Sequence, residues 1–407
     1  MTAAHVPDSR YAWMRLAVTL LMMTIGSAAM YVVSVVLPTV QAEFGVARAD
    51  ASAPSTALMI GFGLGGVWMG RQADRHGVQR ALLIGAAGLG SGFAASALAG
   101  GIASFTLWHG LLLGFFGSAA TFAPLVTDAS LWFVRRRGIA VAICASGNYL
   151  AGAIWPPIVQ AAVQQWGWRP TYFALGALCV LTLPLLSMAL RVRPPAAQAS
   201  PSAALRGAHP SERPFGLSER HALVLLSIAG TACCVAMAMP QVHIVAYCGD
   251  LGYGAARGAE MLSLMLACGV VSRLVSGAIC DRIGGLRTLL LGSALQGVAL
   301  LLFLPFDSLA SLYVISALFG LFQGGIVPSY AIVVREYFPG HEAGARVGVV
   351  ITATLFGMAL GGWMSGAIYD LTGSYRAAFV NGILWNLANV AIVSWLLRRA
   401  SPRPAPA

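Results

Sequence analysis

The sequence contains no lysine, and only 10% of its residues are charged. A soluble globular domain carries roughly 25%, so that class is excluded at the outset. Acids are scarcer than bases, 14 against 25, and every base is arginine. The seven cysteines lie mostly inside apolar stretches, with no C-x-x-C and no Cys/His ligand spacing. Neither a disulfide framework nor a metal site is expected. No nucleophile–base pair or phosphate loop stands out, so an enzyme and a bound cofactor are not expected. Period-2 alternation is missing too, which argues against a membrane β-barrel. The polar start, Met1 to Arg10, leads into a full-length apolar segment without a convincing cleavage site, so no cleavable signal peptide is expected.

What the chain has is apolar length. Of its 407 residues 58% are hydrophobic, and the mean hydropathy is +0.77. Runs of about 20 apolar residues recur, each sufficient to cross a bilayer. The expectation is an all-α membrane protein of twelve spans, near 14–38, 51–71, 81–100, 103–130, 138–160, 170–190, 221–246, 257–280, 286–305, 308–334, 345–367 and 377–397. The stretch 191–220, rich in Pro, Ala, Ser and Arg, reads as a linker between two six-helix bundles, 1–190 and 221–407. A net charge of +11 raises nucleic acid as a partner. The placement of the charge rejects it, because the arginines gather in every second loop. Only Arg48, Arg169, Arg257 and Arg376 fall on the side away from the termini. Both termini are therefore expected to be cytoplasmic. Glycine runs at Gly61 to Gly70 and Gly357 to Gly366 sit inside spans, where small residues bring helices close and permit faces to slide.

One boundary signature is written twice, 207 residues apart. The first copy contains Gly70, Asp74, Arg75, Gly77 and Arg80, and the second contains Gly277, Asp281, Arg282, Gly284 and Arg287. Arg169 and Arg376 keep the same offset. Internal duplication of this kind is typical of secondary transporters. Gly77 and Gly284 permit a tight turn. Asp74 and Asp281 are placed to face the positive end of a neighbouring helix, and the arginines to pair with acids or lipid phosphates.

This Gly-x-x-x-Asp-Arg-x-Gly pattern resembles the major facilitator superfamily over essentially the whole chain. The resemblance implies the corresponding fold of two pseudo-symmetric six-helix bundles, with the signatures acting as a gate. Trp132-Phe133-Val134-Arg135-Arg136-Arg137-Gly138-Ile139-Ala140 resembles the aromatic-Phe-x-basic-Arg-Arg stretch of monocarboxylate transporters and oxalate/formate antiporters. Asp8 to Trp13 is similar to the opening motif of the same group. Three positions depart from it. Ala142 stands where the basic stretch usually carries a glycine. Relatives place an acid one turn before the eighth-span arginine, where this chain has Gly269. They also use a membrane lysine, and here Thr39 follows Pro38 at the first-span position.

Arg273 is the charge inside the membrane. It lies eight residues before Asp281, about 12 Å up a helix, near the middle of a hydrocarbon core about 30 Å thick. An arginine at that depth costs at least ~2.5 kcal/mol. Its same-face neighbours Gly269, Val270, Ser276 and Gly277 offer no acid, and its repeat position is Gly66. An anionic substrate is the economical counter-charge, because guanidinium grips a carboxylate with two hydrogen bonds. Backbone carbonyls, Asp128 or Glu336 are the alternative. Arg273-Leu274-Val275-Ser276-Gly277 matches the placement of the arginine that monocarboxylate transporters carry on the eighth span.

His243 and, less favourably placed, His109 are proton-coupling candidates, since histidine titrates near neutrality, and His243 is a substrate-binding candidate as well. Phe122, Pro124, Asn148, Pro156, Gln241, Gln323 and Tyr330 are candidate cavity residues, with polar helix glue as the competing role. The expected activity is secondary transport of a small organic anion, a monocarboxylate above all. It would proceed by alternating access, by symport or exchange, in a monomer of the bacterial inner membrane. Efflux of an amphipathic or drug-like compound is the alternative. That activity calls for an intramembrane acid when the drug is cationic, and none is found at mid-depth.

Overall fold

The computed structural model describes residues 7–192, 214–338 and 343–400, and within these the protein is built from helices without strands. Most of the expected linker, 193–213, lies outside the described residues. Twelve helical spans run in chain order: α1 Arg10–Phe44, α2 Arg48–His76, α3 Val78–Ala97, α4 Ile102–Trp132, α5 Arg137–Trp166, α6 Trp168–Leu190, α7 Glu219–Asp250, α8 Ala255–Ile283, α9 Gly285–Leu302, α10 Leu309–Tyr337, α11 Ala343–Thr372 and α12 Tyr375–Arg399. Eleven of these regions contain a segment apolar and long enough to cross a membrane. The exception is α2, whose glycines, alanines and terminal charges dilute its hydropathy. Small residues rather than large apolar ones make that helix.

Several spans are longer than the sequence implies and three are irregular: the first, the fourth and the tenth, the last interrupted at Gly324 and Gly325. The first extends well past 38 and is broken at Ser27 (ψ 0°), next to Gly26 packed on Thr121. The fourth passes through a π-helical run, His109–Ser118, of the kind that inserts a residue where packing requires it. That run presents Gly110 and Gly114 to α2. A side chain on Gly61 or Gly65 would collide with the backbone of Gly110 or Phe115. In the second half Gly357 and Gly361 meet the backbone of Thr231 and Val235 on α7. The glycine runs thus serve close helix packing.

Two large buried clusters divide the core. One draws chiefly on residues before 191 and the other on residues after 214. They exchange members where α1 meets α7, α2 meets α11 and α5 meets α8: Tyr31, Leu37, Ala51, Tyr149 and Ala151 join the second cluster, and Ala359 joins the first. The signature turns adopt the conformation their glycines permit, with φ +90° at Gly77 and +84° at Gly284. Both amides close the preceding helix, on Ala73 and Cys280 carbonyls. The acid that caps the helix after the second turn is Glu336, whose carboxylate accepts the Gly285 N–H. Asp281, expected in such a role, is exposed instead.

Candidate functional site

Arg273 sits on α8 at the surface where the first six helices meet the last six. Gly269, one turn earlier, faces the ring of Tyr149, where a side chain would overlap it. That space lets Tyr149 lie under the guanidinium, 4.2 Å from ring centroid to Cζ, a cation–π distance. The Arg273 Nη1 donates to the Ala145 carbonyl on α5 (2.8 Å), and Nε donates to the Gly324 carbonyl on α10 (3.4 Å). Guanidinium carries five N–H groups, so three remain for another acceptor. No carboxylate pairs with it among the described residues. Asp128, one suspected partner, is held by Arg15 through 2.7 and 2.9 Å bonds, and Glu336 caps α9.

Around this charge polar groups pair within each half, and one further bond joins the halves. Tyr31 on α1 donates to Asn148 Oδ1 on α5, and Ser263 on α8 donates to the Ala153 carbonyl on α5. Gln241 on α7 donates to Gln323 Oε1 on α10 (2.8 Å). The Gln323 amide nitrogen is itself buried without a partner, an unpaired donor of the kind that a ligand satisfies. Of the expected cavity residues, Asn148 stands beside the Tyr149–Arg273 pair, and Gln241 and Gln323 form a second polar couple.

The others lie elsewhere. Tyr330 is fully buried and donates to Asn389 (2.8 Å), which with Ser293, Gln296 and Asn386 forms a polar network inside the last six helices. Phe122 packs edge-on against Phe62. His109 is buried in the first half, its Nδ1 at 2.8 Å from the Phe105 carbonyl and its Nε2 at 3.2 Å from the Tyr172 hydroxyl.

His243 on α7 is buried, with Nε2 at 2.8 Å from the Gly362 carbonyl and Nδ1 at 3.2 Å from the Tyr375 hydroxyl. The Tyr375 oxygen also accepts from Arg48 Nη1 (2.8 Å). Arginine only donates, so the Tyr375 proton is left to donate to Nδ1, and Nε2–H donates to Gly362. That pattern fits a neutral imidazole. Arg48 itself, counted from sequence as an outer-loop charge, is buried at the start of α2. It reaches Asp250 at the end of α7 (3.3 Å) and lies over the rings of Tyr369 and Tyr375. Asp370 on α11 accepts the backbone N–H groups of Arg48 (2.8 Å) and Ala49 (2.7 Å). The signature charges at the other end behave differently. Arg71, Asp74, Arg75, Arg80, Asp281, Arg282 and Arg287 are exposed and make no ion pair among the described residues. Gly70 and Gly277 face open space.

Two motifs distant in sequence come together at the end bearing the termini. Asp8 accepts the backbone N–H groups of Val134 and Arg135 (3.2 and 3.0 Å). Tyr11 and Trp13 pack edge-on against Trp132 and Phe133. Burial opposes ionisation of Asp8, but the backbone donors outweigh it and hold its pKa below 3.8.

The family model for the Major Facilitator Superfamily matches this chain at residues 19–307 and again at 249–407. Monocarboxylate transporter 13 from Bos taurus is 29% identical over 273 residues, 67% of this chain and 62% of the relative. The Agnestins efflux protein AgnL12 of Paecilomyces divaricatus is 24% identical over 284 residues, 68% of this chain and 63% of the relative. In both, the match spans less than two thirds of the relative's own length. Among solved structures, a bacterial homolog of the human lysosomal transporter Spinster superposes with a TM-score of 0.68 at 15% identity, covering 97% of this chain and 96% of that one.

Proposed function

Starting from a chain that belongs to the major facilitator superfamily, and to its monocarboxylate branch, we propose that it carries a small monocarboxylate across the membrane by alternating access. Residues 1–190 and 221–407 are the two moving bundles and 191–220 is the linker between them. The observation that carries this reading is Arg273: a guanidinium at mid-depth, between the halves, with Tyr149 beneath it, two backbone carbonyls as acceptors and N–H groups to spare. A substrate carboxylate fits those free donors as a bidentate partner. A single cation suits a single carboxylate. Asn148 and Tyr31 from the first half, and Gln241 with the unpaired Gln323 amide from the second, supply neutral polar contacts for the rest of the molecule.

His243 is the proton carrier in this scheme, favoured over His109 because it touches the contact between halves through Tyr375 and Arg48. His109 is enclosed within one half. Coupling through His243 makes the transport proton-linked symport; without it the same site supports exchange. The arginine distribution supports cytoplasmic termini in a plasma or inner membrane. The signatures at Gly70 to Arg80 and Gly277 to Arg287 then form the cytoplasmic gate, a role supported by their charges, which are exposed and unpaired among the described residues.

Uptake into proteoliposomes, with a panel of labelled monocarboxylates, dicarboxylates and amphipathic compounds, tests the reading. The wild type is expected to accumulate a monocarboxylate under an imposed pH gradient. His243→Gln is expected to lose gradient-driven accumulation while retaining exchange; unaltered accumulation by that variant rejects His243 as carrier. The fungal efflux relative supports a second reading, export of an amphipathic compound. Transport of such a compound, with no carboxylate carried, would select it.

A further inference from the structure

The duplicated architecture specifies an ion pair that the structure does not make. Shifting Glu43 and Arg169 by the repeat offset of 207 gives Asp250 and Arg376. The helix ends correspond as well: α1 and α7 are followed by Gly45 and Gly252, both at positive φ, +62° and +83°. In the first half Glu43 binds Arg169. In the second half Asp250 binds Arg48 of the opposite half, and Arg376 is exposed and pairs with no carboxylate among the described residues. Arg48 has no counterpart, since its repeat position is Ala255. One arginine has been added to one half, and it has taken the acid that symmetry allots to another.

We propose that Asp250 exchanges partners during transport. It holds Arg48 while the end away from the termini is closed, and turns to Arg376 when that end opens. The closed-state contact is built as a latch across the halves. Arg48 meets Asp250, Tyr369 and Tyr375, while Asp370 caps the first backbone N–H groups of α2, and Gly366 lets α11 approach the Arg48–Ala49 backbone without a side chain intervening. The Asp250 carboxylate is 34% exposed, so releasing Arg48 returns the acid to a partly hydrated position where a surface arginine can neutralise it at low cost. Arg376 adjoins Tyr375, whose ring lies 5.4 Å from that of Tyr247, one turn before Asp250. The waiting partner therefore stands beside the latch. Arg48 and Arg376 act through Asp250 as positioning residues that set which end is open. This exchange rests on alternating opening of the two halves but not on the identity of the cargo, so failure of monocarboxylate uptake leaves it standing.

The test is a distance measurement between spin labels at the closed end. Trp166→Cys and Leu371→Cys place labels on opposite halves at exposed positions, 62% and 87%, with the half-exposed Cys268 replaced by Ser. Arg48→Gln is expected to add a longer-distance population to a wild-type distribution dominated by the short one. Adding Arg376→Gln to that variant is expected to draw the population back toward the short distance, because the open form loses its own ion pair. A purely structural arginine predicts no such reversal. If Arg48→Gln does not fold, Arg48→Lys, which keeps the charge and loses the planar fork, carries the same contrast with a smaller shift. An Arg48 variant with the wild-type distribution overturns the latch. A double variant indistinguishable from the single one overturns the exchange.

Discussion

Two contacts between a buried arginine and a carboxylate, one at each end of the molecule, are built in opposite ways. Arg15 and Asp128 lie within the first half, 1% and 4% exposed, joined by two short bonds. The Leu190 carbonyl and the Trp132 ring complete the cage. Arg48 and Asp250 join different halves through one longer contact, with the acid partly in solvent. A buried pair with every donor occupied costs several kcal/mol to break from one side. A pair with a hydrated carboxylate costs far less. The first is suited to persist through every conformation, and the second is suited to come apart.

Neutralising each contact should sharpen that contrast. The largest effect is expected at Arg15→Gln, which strands the buried Asp128 charge and should cost ~3–5 kcal/mol of stability. Thermal unfolding in detergent measures it, and a loss too small to resolve would place this contact with the breakable ones. Next, Arg273→Gln is expected to abolish monocarboxylate uptake with little change in melting temperature, as suits a charge held by carbonyls rather than by an acid. Tyr330→Phe, which leaves Asn389 short of a donor, should cost about 1–3 kcal/mol and spare transport. A clear transport defect at wild-type stability would move Tyr330 into the site. The smallest effect is expected at Asp8. Its folded pKa is lowered by the Val134 and Arg135 amides, so its contribution is full above pH 3.8 and is lost as pH falls through the depressed value. The difference in melting temperature between the wild type and Asp8→Asn should therefore shrink below about pH 4 and stay constant near neutrality.

The duplicated signature, the twelve spans and an Arg273 with no acid beside it on its own helix were legible because each leaves a mark in linear sequence: a repeat, a run, or a charge inside an apolar stretch. Arg15 was not distinguished from the loop arginines, since its burial depends on Asp128, 113 residues away. Arg48 looked like a boundary charge because its partners come from α7, α11 and α12. A usable signal did exist. Like Arg273, both fall on repeat positions without a charge, Ala222 and Ala255. Asymmetry between the halves marks residues with work of their own. Tyr31 and Tyr149 carried no such mark, and their place beside Asn148 and Arg273 follows only from the way α1 and α5 cross α8. Tyr330 and His109 illustrate the converse: polar groups inside spans that were readable as cavity or proton sites, but that are satisfied within one half by Asn389 and by Phe105 and Tyr172.

The account depends most on Arg273 receiving a carboxylate. Titration calorimetry on purified protein, comparing the monocarboxylate that supports uptake with its uncharged amide, tests this directly. Binding of the acid alone, lost in Arg273→Gln, is the predicted result. Equal binding of acid and amide, or an Arg273→Gln variant that binds the acid as tightly as the wild type, would contradict it.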